Sequence, residues 1–528
     1  MGARLCQIKQ KTGQMAGRGS SWVAHRGFEP LISALRGRCP GPLDECAGEA
    51  RVPQGSKHGQ GRSKPAKRWG GRWLVLAPLL AAILASSCLG GDGSNRSATP
   101  STGNDRPTVS AASPDPTNTP RVGATASPGA TSSAAIPALP AALQRVLADV
   151  ANVRQLTPPP TLRVATIAPN EVAAELERQF IPEDLRSFRD TTTLYRLLGH
   201  LRPDQDMKSI YLSFAGSGGV IGFYVATAKA LWVVGDSSGS VDFDALSRQQ
   251  KETLAHEFVH ALQDFHFKLD EVYRAVVTDL DRSLASTAVI EGDAVVHQGL
   301  YAEKYLALPG VGGTRVLLAS LPAAIADVPQ SIIRELYFPY TTGAEWVRGV
   351  REKSGTGRIN EMLANPPAGT AYVLHPELLE AGFKPSNVSL PDLTSALGGG
   401  WERQSGGTFG EFSLRNYLQL HIRALDAAAA AAGWAGDHYD VYVNGQESVA
   451  SFRVHFKDAA EASQFANAQA DFLEEAGAKV TSDGAMRLAQ LPGGNVSATA
   501  APMGADVVFV IGSNAEVARK AMAALLNG

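Results

Sequence analysis

At 528 residues the chain has room for two or three domains, and 44% hydrophobic with 19% charged residues suits a globular body with a real core. The formal net charge is −2, yet residues 1–72 hold 14 Lys/Arg against 4 Asp/Glu, so everything beyond Arg72 is acidic. An acidic body argues against a nucleic-acid partner, which needs a clustered basic face. All four cysteines (Cys6, Cys39, Cys46 and Cys88) lie in the first 88 residues, so the remainder has neither disulfides nor thiolate ligands, and a metal there must rest on His, Asp or Glu.

In chain order, Gly27–Glu45 reads GFEPLISALRGRCPGPLDE, which looks like a translated transfer-RNA gene. Residues 1–51 are therefore expected to reflect a start assigned too early, with initiation near Val52, and they receive no function. Lys64, Lys67, Arg68 and Arg72 then precede an apolar run, Trp73–Leu84, of roughly 12 residues. That is short of the ~20 needed to span a bilayer and reads as a signal-peptide core. Ala85-Ser86-Ser87-Cys88 resembles a bacterial lipoprotein box, with Leu84 one place early, and the resemblance implies cleavage before Cys88 and a lipid on its thiol. The precursor segment is thus 1–88. Residues 89–135, rich in Ser, Thr, Pro and Gly, cannot bury enough surface to order themselves and read as a tether. The protein is expected to be exported, held on the outer face of the cytoplasmic membrane through Cys88 or secreted.

From residue 136 the pattern becomes globular. Helical spacing in ALPAALQRVLADVANVR precedes an alternating strand, TLRVATI, and further helices up to about residue 201. GVIGFYVAT and KALWVVG (219–227 and 229–235) predict a hairpin, and Ser247–Lys268 and Thr278–Leu306 predict two long helices. The last ~100 residues change character: strands in DHYDVYV, SVASFRVHF, NVSATAAP and ADVVFVIG, with helices at Asp458–Ala476 and Ala515–Leu526. The fold class expected is α+β: a mainly helical domain over 136–430 with a small sheet near its N-terminal side, and a small α+β domain over 431–528.

Within the first long helix, His256-Glu257-Phe258-Val259-His260 places two imidazoles one turn apart, where both reach one ion. Glu257, one step round, sits where it can take a proton from an activated water, an arrangement that suits one Zn2+. Leu254, Ala255, Phe258, Val259, Ala261 and Leu262 make that helix apolar on most sides, and a buried His pair with a glutamate needs a partner to offset desolvation. A core pair held only by hydrogen bonds is the bland alternative. A catalytic zinc takes three protein ligands. Among Asp264, His266, Glu291, Asp293 and His297, the choice is Glu291, on the next helix between small neighbours. Asp264, one turn beyond His260, is expected to accept the other N–H of a ligand imidazole.

HEFVHALQDFHF followed by VIEGDA resembles the gluzincin zinc metallopeptidases, and most closely a bacterial group, often exported or lipid-anchored, with HExxHALQDxHF and then EGDA. FPYTTGAEWV, NPPAGTAYVLHPELL and GWAGDHYDVY fit the same resemblance, which covers roughly residues 162–443. Glu291 lies 31 positions after His260, a longer connection than in thermolysin. The resemblance implies a zincin-like fold and a peptide or protein substrate. It also implies that the strand before the zinc helix pairs with the substrate backbone, here at Gly222, Phe223 and Tyr224; an ordinary inner strand is the alternative. Tyr340, in a Tyr-x-x-Gly element, is the expected oxyanion donor, with His375 as runner-up. The Asp437–Asp440 cluster opens a strand and reads as surface. Hydrolysis of peptide bonds is the first functional reading; a catalytically silent lipoprotein whose peptidase-like domain binds a partner or envelope component is the second.

Overall fold

The computed structural model describes residues 138–216, 220–226, 228–309 and 327–527. The signal segment, Cys88 and the tether at 89–135 lie outside the described residues. Helix α1 (Ala141–Arg154) buries Leu143, Val146, Leu147 and Val150, the repeat of three and four that puts one stripe on a core. Strand β1 (Arg163–Ile167) leads to α2 (Val172–Gln179), α3 (Pro182–Leu198) and α4 (Met207–Ala215). Pro182 opens α3, where its missing N–H costs nothing, and Gly199 at φ 84° ends it.

The hairpin forms as the sequence predicts, with β2 (Gly222–Val225) antiparallel to β3 (Ala230–Val234), while β1 pairs parallel with β3. The order β1-β3-β2 leaves β2 at an edge. Helix α5 (Arg248–Phe267) starts on a capping box, Ser247 accepting from the Gln250 N–H and Gln250 from the Ser247 N–H. It packs against α1, β2 and α7 (Leu280–Tyr301), with α6 (Leu269–Val276) between. A π-helical turn, Ala302–Leu306, extends α7, so this region approximates the long helix expected there. Helix α8 (Gln330–Tyr337) then passes through a second π-helical turn, Pro339–Gly343, into α9 (Ala344–Ala364).

The C-terminal part is a seven-stranded antiparallel sheet in the order β4-β5-β6-β10-β9-β8-β7. Its strands are β4 (Glu402–Gly407), β5 (Trp434–Asn444), β6 (Glu447–Phe456), β7 (Lys479–Asp483), β8 (Met486–Gln490), β9 (Val496–Ala500) and β10 (Asp506–Gly512). Helices α10 (Gly410–Leu418), α11 (Ala424–Ala431), α12 (Ala459–Glu475) and α13 (Ala515–Asn527) complete it. β10 is buried on both faces. Val507, Phe509 and Ile511 point into a core shared with α12 and with Tyr195, Phe214 and Tyr340 of the helical part, while Val508 and Val510 meet Val517 and Met522 of α13. The architecture is α+β. The sheet takes in β4, from before residue 431, and its core runs on into the helical part without a break.

The Asp437–Asp440 cluster is a correction: both aspartates are buried. Asp437 accepts from the Phe409 and Gly410 N–H groups and from Trp434 Nε1, fixing the turn that leads into α10. Among the described residues no helix is long and apolar enough to cross a membrane.

Candidate metal centre

Two helices make the site. On α5, His256 and His260 stand one turn apart with ring centroids 4.7 Å from each other. On α7, Glu291 reaches between them, its Oε2 3.2 Å from His256 Nε2 and 3.4 Å from His260 Nε2. One ligand atom from each of the three lies within 4.8 Å of the others. Glycines let the π-helical turn Pro339–Gly343 approach α7 closely. A Cβ on Gly292 would meet Gly343 O at 2.6 Å, and one on Gly343 would meet Ala288 O at 2.7 Å. That contact seats the π-helical turn carrying Tyr340 against the helix carrying Glu291. The Tyr340 hydroxyl hydrogen-bonds Glu291, and its ring lies 6.4 Å from that of His256.

The residues fit a divalent cation. His260 Nε2, Glu291 Oε1 and Glu257 Oε1 are buried with no hydrogen-bond partner, a cost that an ion and the water it carries would remove. Two imidazoles and one carboxylate are the donor set of a catalytic zinc with one position left open. Glu257 is oriented by its other oxygen, Oε2, which accepts from the Tyr224 N–H at 2.9 Å. Burial pushes its carboxyl up to about 8. Burial likewise pushes His256 below its ordinary value. For Glu291 burial works upward, but the neighbouring imidazoles, His260 foremost, outweigh it and hold the carboxyl below the usual range.

The site is closed: His256 is 1% exposed and Glu257, His260 and Glu291 are 0% exposed. Strand β2 occupies the edge expected of a substrate-pairing strand, yet Gly222, Phe223 and Tyr224 are all buried and the Tyr224 N–H is committed to Glu257. A Cβ on Gly222 would meet Trp232 O of β3 at 2.8 Å and Leu254 Cδ2 of α5 at 2.9 Å, so this glycine lets β2 sit close to both its partner strand and the helix.

Asp264 is a further correction. Its Oδ2 accepts from the Tyr224 hydroxyl at 2.7 Å and from Lys229 Nζ at 2.6 Å, turning it to the hairpin and away from the imidazoles. The Nδ1 atoms of the two rings are held by glutamines instead: His260 Nδ1 lies 2.9 Å from Gln263 Oε1, and His256 Nδ1 lies 3.1 Å from Gln298 Oε1. An amide on two methylenes reaches back along the helix from i+3, where the shorter Asp264 does not. His266 bonds the Thr157 carbonyl, and His375 bonds Glu411; neither joins the triad. Asp293 and His297 pair with each other behind Glu291.

Residues 398–522 match the model of a domain of unknown function (DUF8575), a stretch that takes in the whole seven-stranded sheet. No curated protein and no solved structure matches the chain.

Proposed function

We propose that the chain is an extracytoplasmic zinc metallopeptidase of the gluzincin type, with a zincin-like helical part, tethered through Cys88. The carrying observation is the convergence of His256, His260 and Glu291 within 4.8 Å, next to a buried glutamate whose second oxygen has no partner. A zinc ion held there supplies Lewis acidity toward a peptide carbonyl, acidifies water, and by its charge draws the Glu257 carboxyl back down from about 8. Glu257, steadied by the Tyr224 N–H, accepts a proton on Oε1 as water adds to the carbonyl carbon, and returns it to the departing amine. Tyr340 is placed to exchange its bond to Glu291 for one to the oxygen that gains charge. A peptide entering along Gly222–Tyr224 must first open the covered edge of β2.

The test is Glu257→Gln against unfolded casein. The variant should keep one zinc per chain and lose about 10²–10⁴-fold in hydrolysis. Equal hydrolysis by the two proteins overturns the proposal. The complete burial of the triad favours a second reading, a silent lipoprotein that binds a partner through a peptidase-like domain. Stoichiometric zinc in a wild-type protein that cleaves no unfolded substrate is what that reading expects.

A further inference from the structure

Behind the triad, buried side chains run from α1 to His260. Arg154, the last residue of α1, is 0% exposed; its Nε donates to Asp293 Oδ2 at 2.8 Å and its Nη2 to Asn360 Oδ1 of α9 at 2.7 Å. The same Asp293 oxygen accepts from Gln263 Nε2 at 2.8 Å, and that nitrogen also donates to the Ile290 carbonyl at 2.9 Å. Gln263 Oε1 completes the run at His260 Nδ1.

We infer that Arg154, Asp293 and Gln263 are positioning residues that keep the proton of His260 on Nδ1 and so leave Nε2 as the lone pair offered to the metal. The inference rests on the zinc reading above. Its logic is one of donors and acceptors. Both neighbours of Gln263 Nε2 are acceptors, so reversing the amide would set its oxygen against two other oxygens. The amide is locked with its oxygen toward His260, and an oxygen there requires a donor on Nδ1. His260 Nε2, the atom then without a proton, is the buried nitrogen that has no hydrogen-bond partner. Arg154 anchors the far end, because a buried carboxylate without its cation would not hold the amide in place. An ion pair serving stability alone would be replaceable by an apolar pair; one that orients the amide would not.

The experiment measures zinc affinity by chelator competition and the visible absorption of the cobalt(II) form, on the full chain. Gln263→Leu is expected to bind zinc about 10–100-fold more weakly and to shift the cobalt bands. The pair Arg154→Met with Asp293→Leu, which keeps volume and leaves no buried charge, should do the same. Wild-type affinity and bands in both Gln263→Leu and the apolar pair overturn the inference while the metal centre stands. A wild-type protein that takes up no zinc overturns the underlying reading instead.

Discussion

Gly292 stands between Glu291 and Asp293, and its missing side chain decides how near α7 comes to the turn that carries Tyr340. Replacing it with Ala places a methyl 2.6 Å from Gly343 O and 2.9 Å from Val347 Cγ2, with backbone on one side that cannot yield cheaply. The helix gains propensity of about 1 kcal/mol from Ala, but overpacking of this kind costs about 1–3 kcal/mol. Gly292→Ala should therefore lower the urea midpoint and weaken zinc uptake by displacing Glu291. Gly299, in the same helix, has nothing within 4 Å of its would-be Cβ. Gly299→Ala should raise the midpoint by up to about 1 kcal/mol of stability and leave zinc uptake alone. Opposite signs from two glycines seven positions apart are the signature of the close approach. The motif shows that a glycine follows the glutamate; the reason for it lies in Gly343, which comes from another segment.

Among the elements, α5 was the most legible. Its apolar faces and its histidines read from one stretch, and the observed bounds, Arg248–Phe267, fall one residue inside the expected ones at each end. Removing the cap oxygen with Ser247→Ala should cost about 1 kcal/mol, read as a lower thermal midpoint with an unchanged zinc content. Strands β4, β7 and β8 were not foreseen. ERQSGG carries no alternating apolar residues, and KVTSD is exposed at every position, so pairing with neighbours defines these strands more than their own composition does. Asp264 shows the same limit at the site. Helical spacing puts it on the stripe of His260, but the spacing carries no word of Lys229 and Tyr224 on the hairpin, which claim it. Gln263 was written in the same motif, and only the position of Asp293 on α7 gives its amide a direction.

Across the whole molecule, the core that joins the helical part to the sheet predicts one cooperative unfolding transition for residues 138–527, and calorimetry showing two separate endotherms would contradict it. His200 lies in that joint. It is buried, its ring 4.8 Å from that of Tyr195 on α3 and 6.5 Å from that of Tyr417 on α10, and Tyr417 in turn stacks on Phe509 of β10. Burial, with a smaller push from Arg334, lowers its pKa to about 3, against an ordinary value of 6.5. Above pH 6.5 the ring is neutral in both folded and unfolded chains and costs nothing. Between 6.5 and about 3 only the unfolded chain takes up the proton, so stability is lost as pH falls, by about 1.4 kcal/mol per unit. At pH 5 the loss from this one group is about 2 kcal/mol. His200→Leu removes the titration, and its buried Nδ1 has no partner to forfeit. Urea midpoints taken at pH 7, 6 and 5 should therefore fall less steeply in the variant than in the wild type. Parallel slopes would mean that this ring takes up its proton without the joint giving way.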